Sequence, residues 1–373
     1  HQERGRGLTD QIGDGTSRLA VVAHAPDAST RFVARRMVSI HLVVGDDAVV
    51  PVDDVEASVR AETDGDGPEE FVVGRDEVRQ LGELVDAIRT EFRGEGVDNF
   101  WQDAKQVRGL WRQTTLESYQ TEKPKWQTVL DIDALAKREK KNWIFKGADC
   151  LAPEETRCLV SLSDGGKDAV VVREFDTVEK KFVQNGFSLP EGKHRLAWMD
   201  NDTILVATDF GPGTLTDSGY PRVVKRWRRG QPLAAAQTVF EGLASDVAVS
   251  VAVDLTPGCE RTLLRRAPDF FSSEDALLQQ GAGCDTLQPL AKPPDAQLAF
   301  WYDQALLLLR SDWLHDGTTW PRGALLASDA AAFIAAKPVW FALFTPSATR
   351  SLAGYAALRR TLLLEVLDNV AGR

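Results

Sequence analysis

This 373-residue sequence predicts a mainly β fold built from repeated four-stranded antiparallel sheets, on three observations. Short runs rich in Val, Leu, Phe and Trp recur from about residue 98 onward, and β-branched and aromatic residues in short runs are what pleated strands select. Turn signals such as Asp164-Gly165-Gly166, Asp200-Asn201-Asp202, Asp316-Gly317 and Pro321-Arg322-Gly323 separate these runs as hairpins require. Apolar hairpin arms near Leu159, Leu205, Leu263, Leu308 and Leu363 return at roughly 45–60 residues, the length of four strands and their loops. One such sheet cannot bury both of its faces alone. Radial stacking of blades solves that problem, and an irregular pair of β-sandwiches fits the period nearly as well.

The composition breaks near residue 98. Before it there is no Lys, Trp, Tyr or Cys; after it come all ten Trp and every Lys. Such a break marks a domain boundary, so residues 1–97 are expected to form a small α+β or irregular segment of their own. Within it, Phe32 to Val44 and Ala48 to Val52 suit strands, and Thr63 to Pro68 reads as a loop. Val78, Leu81, Val85, Ile88 and Phe92 recur at spacings of three and four, which predicts one amphipathic helix over 75–93, ended by Gly94 and Gly96.

Beyond the break, Trp101 and Trp111 lie on two strand-like runs joined by an Asp-Ala-Lys turn. Strands follow at Arg157–Ser163, Ala169–Phe175, His194–Met199, Thr203–Thr208 and Arg222–Trp227. Five more are expected at Val247–Val253, Arg261–Arg266, Ala305–Arg310, Ala324–Ser328 and Thr361–Leu367. The basic run Lys225 to Arg229 reads as charges flanking an inward Trp227 on one of these strands, not as a phosphate contact. The tryptophans as a group are expected in core packing rather than in a carbohydrate or peptide platform.

A net charge of −11 and a pI near 5.1 argue against nucleic acid as a partner, because phosphate binding needs a clustered basic surface. No 18-residue uncharged apolar run exists, so no membrane partner is expected. The sequence begins at His1 rather than Met, which suggests a removed leader or a fragment. The expectation is a soluble protein, with the choice between cytoplasm and periplasm open. Cys150, Cys158, Cys259 and Cys284 match no zinc or haem spacing and read as small buried apolar residues. The pair Cys150 and Cys158 is near enough in sequence to meet across a hairpin, but spacing does not establish a bond. Five scattered histidines have no partner at ligand spacing, so no metal and no cofactor are expected.

Seven stretches of this chain carry a resemblance. They are NFWQDAKQVRGLWRQTTLESY at 99–119, KPKWQTVLDIDAL at 123–135, NWIFKGADC at 142–150, SLSDGGKDAVVVREFD at 161–176 and TDFGPGTLTDSGYPRVVKRWRRG at 208–230, with RSDWLHDGTTWPRGALLASD at 310–329 and LFTPSATRSLAGYAALRRTLLLEVLDNV at 343–370. In this order they resemble the amino-terminal β-propeller of the prolyl oligopeptidase family of serine peptidases. The resemblance covers about residues 98–373 and decides the fold class: a partial, open β-propeller of four-stranded blades from about residue 98. It implies a lid over an α/β-hydrolase domain, admitting short peptides as substrates of the intact parent. It also implies that the family's Ser, Asp and His lie in the hydrolase domain, which follows the propeller.

That hydrolase domain is expected to be missing from this chain. Acyl transfer of this type needs a Gly-x-Ser-x-Gly elbow to expose the nucleophile beside an oxyanion hole, and no serine here lies between two glycines at that spacing. Ser218, in Asp217-Ser218-Gly219 with His194 upstream, reads as a loop residue among Pro212, Gly213 and Pro221. Asp131 and Asp133 are expected on one face of a solvated edge strand, and Asp200 and Asp202 in a turn. Gly211-Pro212-Gly213 and Gly281-Ala282-Gly283 read as turns, since neither leads into a helix that holds an anion. The expected catalytic, cofactor-binding and metal residues are therefore none.

Two functions compete on the sequence. One is a catalytically silent portion of a prolyl oligopeptidase-like serine endopeptidase, stopping at about five of seven blades. The other is a standalone propeller that binds a peptide or protein. An open ring predicts exposed apolar edges, hence poor solubility or self-association of the isolated chain.

Overall fold

The computed structural model describes residues 18–24, 40–42, 96–119, 121, 123–281, 285–357 and 361–368. Most of the first 95 residues, with the expected loop at 63–68, the helix at 75–93 and the strand at 48–52, lie outside the described residues. So does Cys284. From residue 96 the chain runs through successive antiparallel sheets. Sheet I holds Gly96–Trp101, Leu110–Thr115 and Gln127–Asp131. Sheet II holds Trp143–Cys150, Arg157–Asp164, Val170–Asp176 and Ser188–Gly192, with Lys181–Phe182 pairing beside it. Sheet III holds Arg195–Asp200, Thr203–Ala207, Val223–Arg228 and Gln237–Glu241.

Sheet IV follows with Ala248–Asp254, Arg261–Ala267, Glu274–Gln279 and Thr286–Leu290. Sheet V takes Gln297–Trp301, Gln304–Leu308, Leu325–Asp329 and Phe341–Phe344, and a small hairpin, Trp313–His315 with Thr318–Trp320, sits in its long connection. The ten strands expected between Arg157 and Leu367 are present, with ends shifted by one or two residues. The repeated leucines Leu159, Leu205, Leu263 and Leu308 each fall on the second strand of their sheet. This is a mainly β fold of four-stranded meanders, the blade pattern of a β-propeller.

Successive sheets bury one another, and the period of two shows how. In Arg157–Asp164, Cys158, Val160 and Leu162 pack with Trp111, Leu130 and Ile132 toward sheet I, while Leu159 turns the other way to Trp198 and Ile204 of sheet III. In Thr203–Ala207, Ile204 and Val206 face sheet II, and Leu205 and Ala207 face Val249 and Leu264 of sheet IV. All five residues of that strand are buried. Alternation here sorts apolar side chains between two neighbours, so these strands read as continuous apolar runs. Each such Leu or Ile stabilises the fold by about 1.5–3 kcal/mol.

A sixth sheet joins distant parts of the chain. Arg350–Ala357 pairs with Thr361–Asp368, whose other edge receives Arg18–His24 from Arg18↔Leu367 to His24↔Thr361, and Ile40–Leu42 pairs outside it. Ile40–Leu42 is the described part of the strand expected at Phe32–Val44; the strand at Arg18–His24 was not foreseen. By contact density the chain divides into two compact units, one of residues 96–305 and 328–339, the other of residues 1–95, 306–327 and 340–373.

Two expectations are corrected. Asp131 and Asp133 do not share a strand: the strand ends at Asp131, which caps a helix, Ile132–Glu139, by accepting the Ala134 N–H at 2.8 Å. Helix formation wins because Asp131 is a good N-cap, and Ile132, Leu135 and Ala136 then form one buried face at helical spacing. Asp133, in the first turn, accepts the backbone N–H groups of Arg108 and Gly109 at 3.0 and 3.2 Å. Gly109 is required there, with φ of +99° and the Phe100 ring where a Cβ would be. The second correction concerns Cys150 and Cys158, which are joined in a disulfide because the hairpin register sets them directly opposite. Cys259 is half-buried and free.

Candidate functional site

In sheets II to IV, the loops from second to third strand and from each sheet to the next emerge at one end, because strand direction alternates. These loops are knitted together. Lys193 reaches Asp168 at 3.0 Å, and the Tyr220 hydroxyl donates to the same carboxylate at 3.4 Å. Lys193 also lies 3.7 Å from the centre of the Tyr220 ring. The Lys193 ammonium holds the Asp168 carboxyl below its ordinary range, and Asp168 in turn raises the pKa of Lys193. Farther along, Ser218 donates to the Val247 carbonyl at 3.0 Å, and Asp217 N–H donates to the Ala244 carbonyl at 2.7 Å.

The rim continues into sheet IV through buried charges. Asp246 accepts the Leu243 N–H at 2.7 Å and both forks of Arg266, at 2.8 and 3.1 Å. Lys292 is almost wholly buried, 3.2 Å from Asp275, and donates to the carbonyls of Ser273 and Ala296. Burial pulls the Lys292 ammonium below its ordinary value, and the Asp275 charge opposes that shift. Above this scaffold stand three exposed apolar tips, Leu243, Phe270 and Phe271. The Phe tips are held by an Asx turn in which Asp269 accepts the N–H groups of Phe271 and Ser272. The side-chain hydrogen bond from Ser272, with those from the backbone, holds the Asp269 carboxyl low.

No catalytic constellation forms from the hydroxyl and imidazole groups singled out in the sequence. The Ser218 hydroxyl is engaged by Val247 and by Thr216 at 2.9 Å, inside a turn where Gly219 has φ of +78°. His194 is buried, and its Nε2 lies 3.1 and 2.9 Å from the carbonyls of Val170 and Pro190. Two carbonyl acceptors require Nε2–H, which leaves Nδ1 to accept from the Thr208 hydroxyl at 2.8 Å. Burial pushes this imidazole below its ordinary pKa, outweighing the two carbonyls. His194 is a neutral structural tie between sheets II and III.

The other sequence candidates are likewise spent on structure. Asp200 accepts the Asp202 N–H in a turn, and Gly211 and Gly213 adopt positive φ in a loop. Trp227 is buried as expected, with its indole N–H on the Gln231 carbonyl. Around it Lys225 stacks on Phe210, Arg226 pairs with Asp285, and Arg229 forms a fork with Glu174 at 2.8 and 3.0 Å. Six of the ten tryptophans are buried in packing positions. Among the described residues, no group of His, Cys, Asp and Glu is arranged to hold a metal ion, and no helix is long and apolar enough to cross a membrane.

Stacked four-stranded sheets with an interlocked polar rim define a propeller-type scaffold. The chain belongs to the prolyl oligopeptidase family through its N-terminal β-propeller domain, whose family model matches residues 89–263. It is 43% identical over 276 residues to the uncharacterized peptidase y4nA of Sinorhizobium fredii, covering 72% of this chain and 38% of that one. It is 30% identical over 287 residues to the uncharacterized peptidase RP174 of Rickettsia prowazekii, covering 73% of this chain and 40% of that one. The structure resembles a post-proline cleaving enzyme from Rickettsia typhi with a TM-score of 0.70 and 28% identity, over 78% of this chain and 45% of the enzyme. The chain thus spans about two fifths of the length of the curated relatives it matches.

Proposed function

We propose that residues 98–373 are the propeller portion of a prolyl oligopeptidase-like serine-type endopeptidase, joined in the working protein to an α/β-hydrolase domain and preceded by a separate segment, residues 1–97. The propeller limits access, so that short peptides reach the hydrolase and folded proteins do not. The observation that carries this reading is the likeness to the Rickettsia typhi post-proline cleaving enzyme over 78% of this chain. The absence of a Gly-x-Ser-x-Gly elbow and the structural use of Ser218 and His194 agree with a gating role rather than a cleaving one.

A propeller-exchange chimera tests the proposal: residues 98–373 replace the corresponding part of the Rickettsia typhi enzyme. The chimera is expected to cleave a short chromogenic proline peptide and to leave a folded protein intact. Equal cleavage of both, in a chimera that melts cooperatively, refutes gating. The isolated 373-residue chain is expected to hydrolyse neither substrate. A second reading, a protein-binding module, is favoured by one observation: Leu243, Phe270 and Phe271 are exposed at the same rim.

A further inference from the structure

Arg112 differs from most of the half-buried arginines described in this chain. Arg157, Arg173, Arg226, Arg229, Arg265 and Arg266 each meet a carboxylate. Arg112, among the described residues, meets none. Its guanidinium is instead held between two indoles, 4.4 Å from the centre of the Trp101 ring and 4.3 Å from that of Trp126. The register of sheet I makes this sandwich. Asn99 lies directly opposite Arg112, Trp101 is two residues on along the same face, and Thr128 opposes Arg112 from the third strand, two residues after Trp126.

Every part of the sandwich is fixed. Asn99 accepts the Arg112 Nε–H at 2.9 Å, which orients the plane of the guanidinium. The Trp101 indole N–H donates to Asp103 at 3.2 Å, and Tyr119 packs edge-on against Trp126 at 6.0 Å. Asp103 also accepts the backbone N–H groups of Lys105 and Gln106, so its charge is committed. Both faces of the cation are covered and its Nε is used. The two Nη groups remain, with no acceptor among the described residues and not sealed from solvent. Desolvation pulls the Arg112 pKa down, so the stacked cation lacks the compensation its paired counterparts have.

A planar fork with its faces blocked offers one direction of approach, edge-on, and two parallel N–H donors match the two oxygens of a carboxylate. Lys123 and Lys125 lie three and one residues before Trp126 in the sequence. Trp101 remains 43% exposed, an apolar shelf beside the fork. We propose that Trp101, Arg112 and Trp126 form a receptor for the free C-terminal carboxylate of a peptide whose last side chain is apolar. The carboxylate takes the Nη fork and the side chain lies on the Trp101 indole. This assignment stands on sheet I alone and does not depend on the gating function.

The test uses the full chain and fluorescein-labelled tetrapeptides ending in Phe. One has a free C-terminus, the second is its C-terminal amide, and the third is the amide with a Glu side chain next to Phe. By fluorescence anisotropy the free acid is expected to bind about 10- to 100-fold more tightly than either amide, with affinity falling as salt rises. Arg112→Gln should remove that preference, and Trp101→Ala should weaken the acid while keeping it ahead of the amide. Equal affinity of wild-type protein for acid and amide overturns the proposal, as does failure of a natively folded chain to bind the acid at millimolar concentration. Equal binding of the free acid and the Glu-bearing amide overturns the assignment to a peptide terminus. The acid-to-amide comparison needs no variant, so poor folding of Arg112→Gln leaves the test intact.

Discussion

Replacing Arg229 by Met breaks the buried ion pair that pins sheet III to sheet II, together with the exposed contacts of the guanidinium to Asp202 and the Asn201 carbonyl. The Glu174 side chain has no solvent exposure and accepts three hydrogen bonds, from Arg229 at 2.8 and 3.0 Å and from the Phe187 N–H at 2.8 Å. Met fills much of the same volume but leaves the carboxylate with a single donor. Breaking a buried pair from one side costs about 3–5 kcal/mol. The Arg229 side chain is 29% exposed, so water partly replaces it, and the expected loss is near the lower figure, about 3 kcal/mol.

The double variant Glu174→Gln with Arg229→Met carries the sharper expectation. The Gln carbonyl still accepts the Phe187 N–H, and no charge is buried. Its cost should be about 1 kcal/mol, so the second substitution recovers about 2 kcal/mol of the first. Urea melts followed by tryptophan emission report on this directly, since Trp198 and Trp227 flank Phe187. A double variant no more stable than Arg229→Met alone refutes the account of Glu174 as a buried charge held by its fork.

Three further outcomes are expected. His194 has a depressed folded-state pKa, so the unfolded chain takes up its proton first as pH falls; stability contributed by the neutral ring is fully present above about pH 6.5 and is lost below it. The urea midpoint should therefore drop between pH 7.5 and 5.5, and His194→Gln should flatten that slope. Lys292→Met leaves the Ser273 and Ala296 carbonyls without their donor, while Asp275 keeps Arg265; a loss of about 2–3 kcal/mol is expected, with faster amide exchange through residues 291–296. Asp131→Ala removes the cap of the helix Ile132–Glu139 and should cost about 1 kcal/mol in the same melts.

Strands were the most legible part of the fold, because a strand buried on both faces is a run of apolar residues whichever neighbour each side chain meets. Val223–Arg228 was readable even with four basic residues around Trp227, since Val223, Val224 and Trp227 supply the buried positions of the strand. The helix at Ile132–Glu139 escaped because Leu130, Asp131, Ile132 and Asp133 alternate like an edge strand; the deciding signal was Asp131 as cap with Leu135 and Ala136 at helical spacing. The disulfide was undetermined because a separation of 8 residues does not say whether two cysteines fall opposite each other in a hairpin. The Arg112 receptor was out of reach for a related reason. Trp101, Arg112 and Trp126 come from three strands or their flanks, and only the pairing register of sheet I sets them in one stack. The roles of Ser218, Asp200 and Trp227, by contrast, followed from local turn and strand chemistry.

The strand Thr203–Ala207 answers to two masters: its even positions are shaped by one neighbouring sheet and its odd positions by the other. Enlarging Leu205 strains the seam with sheet IV, and enlarging Ile204 strains the seam with sheet II. Sequence drift in such an array is therefore coupled in a chain, each blade adjusting to the last and constraining the next. Whole blades cannot be exchanged piecemeal, whereas the turns between strands are free to vary, and that freedom is where a scaffold of this kind acquires new specificities.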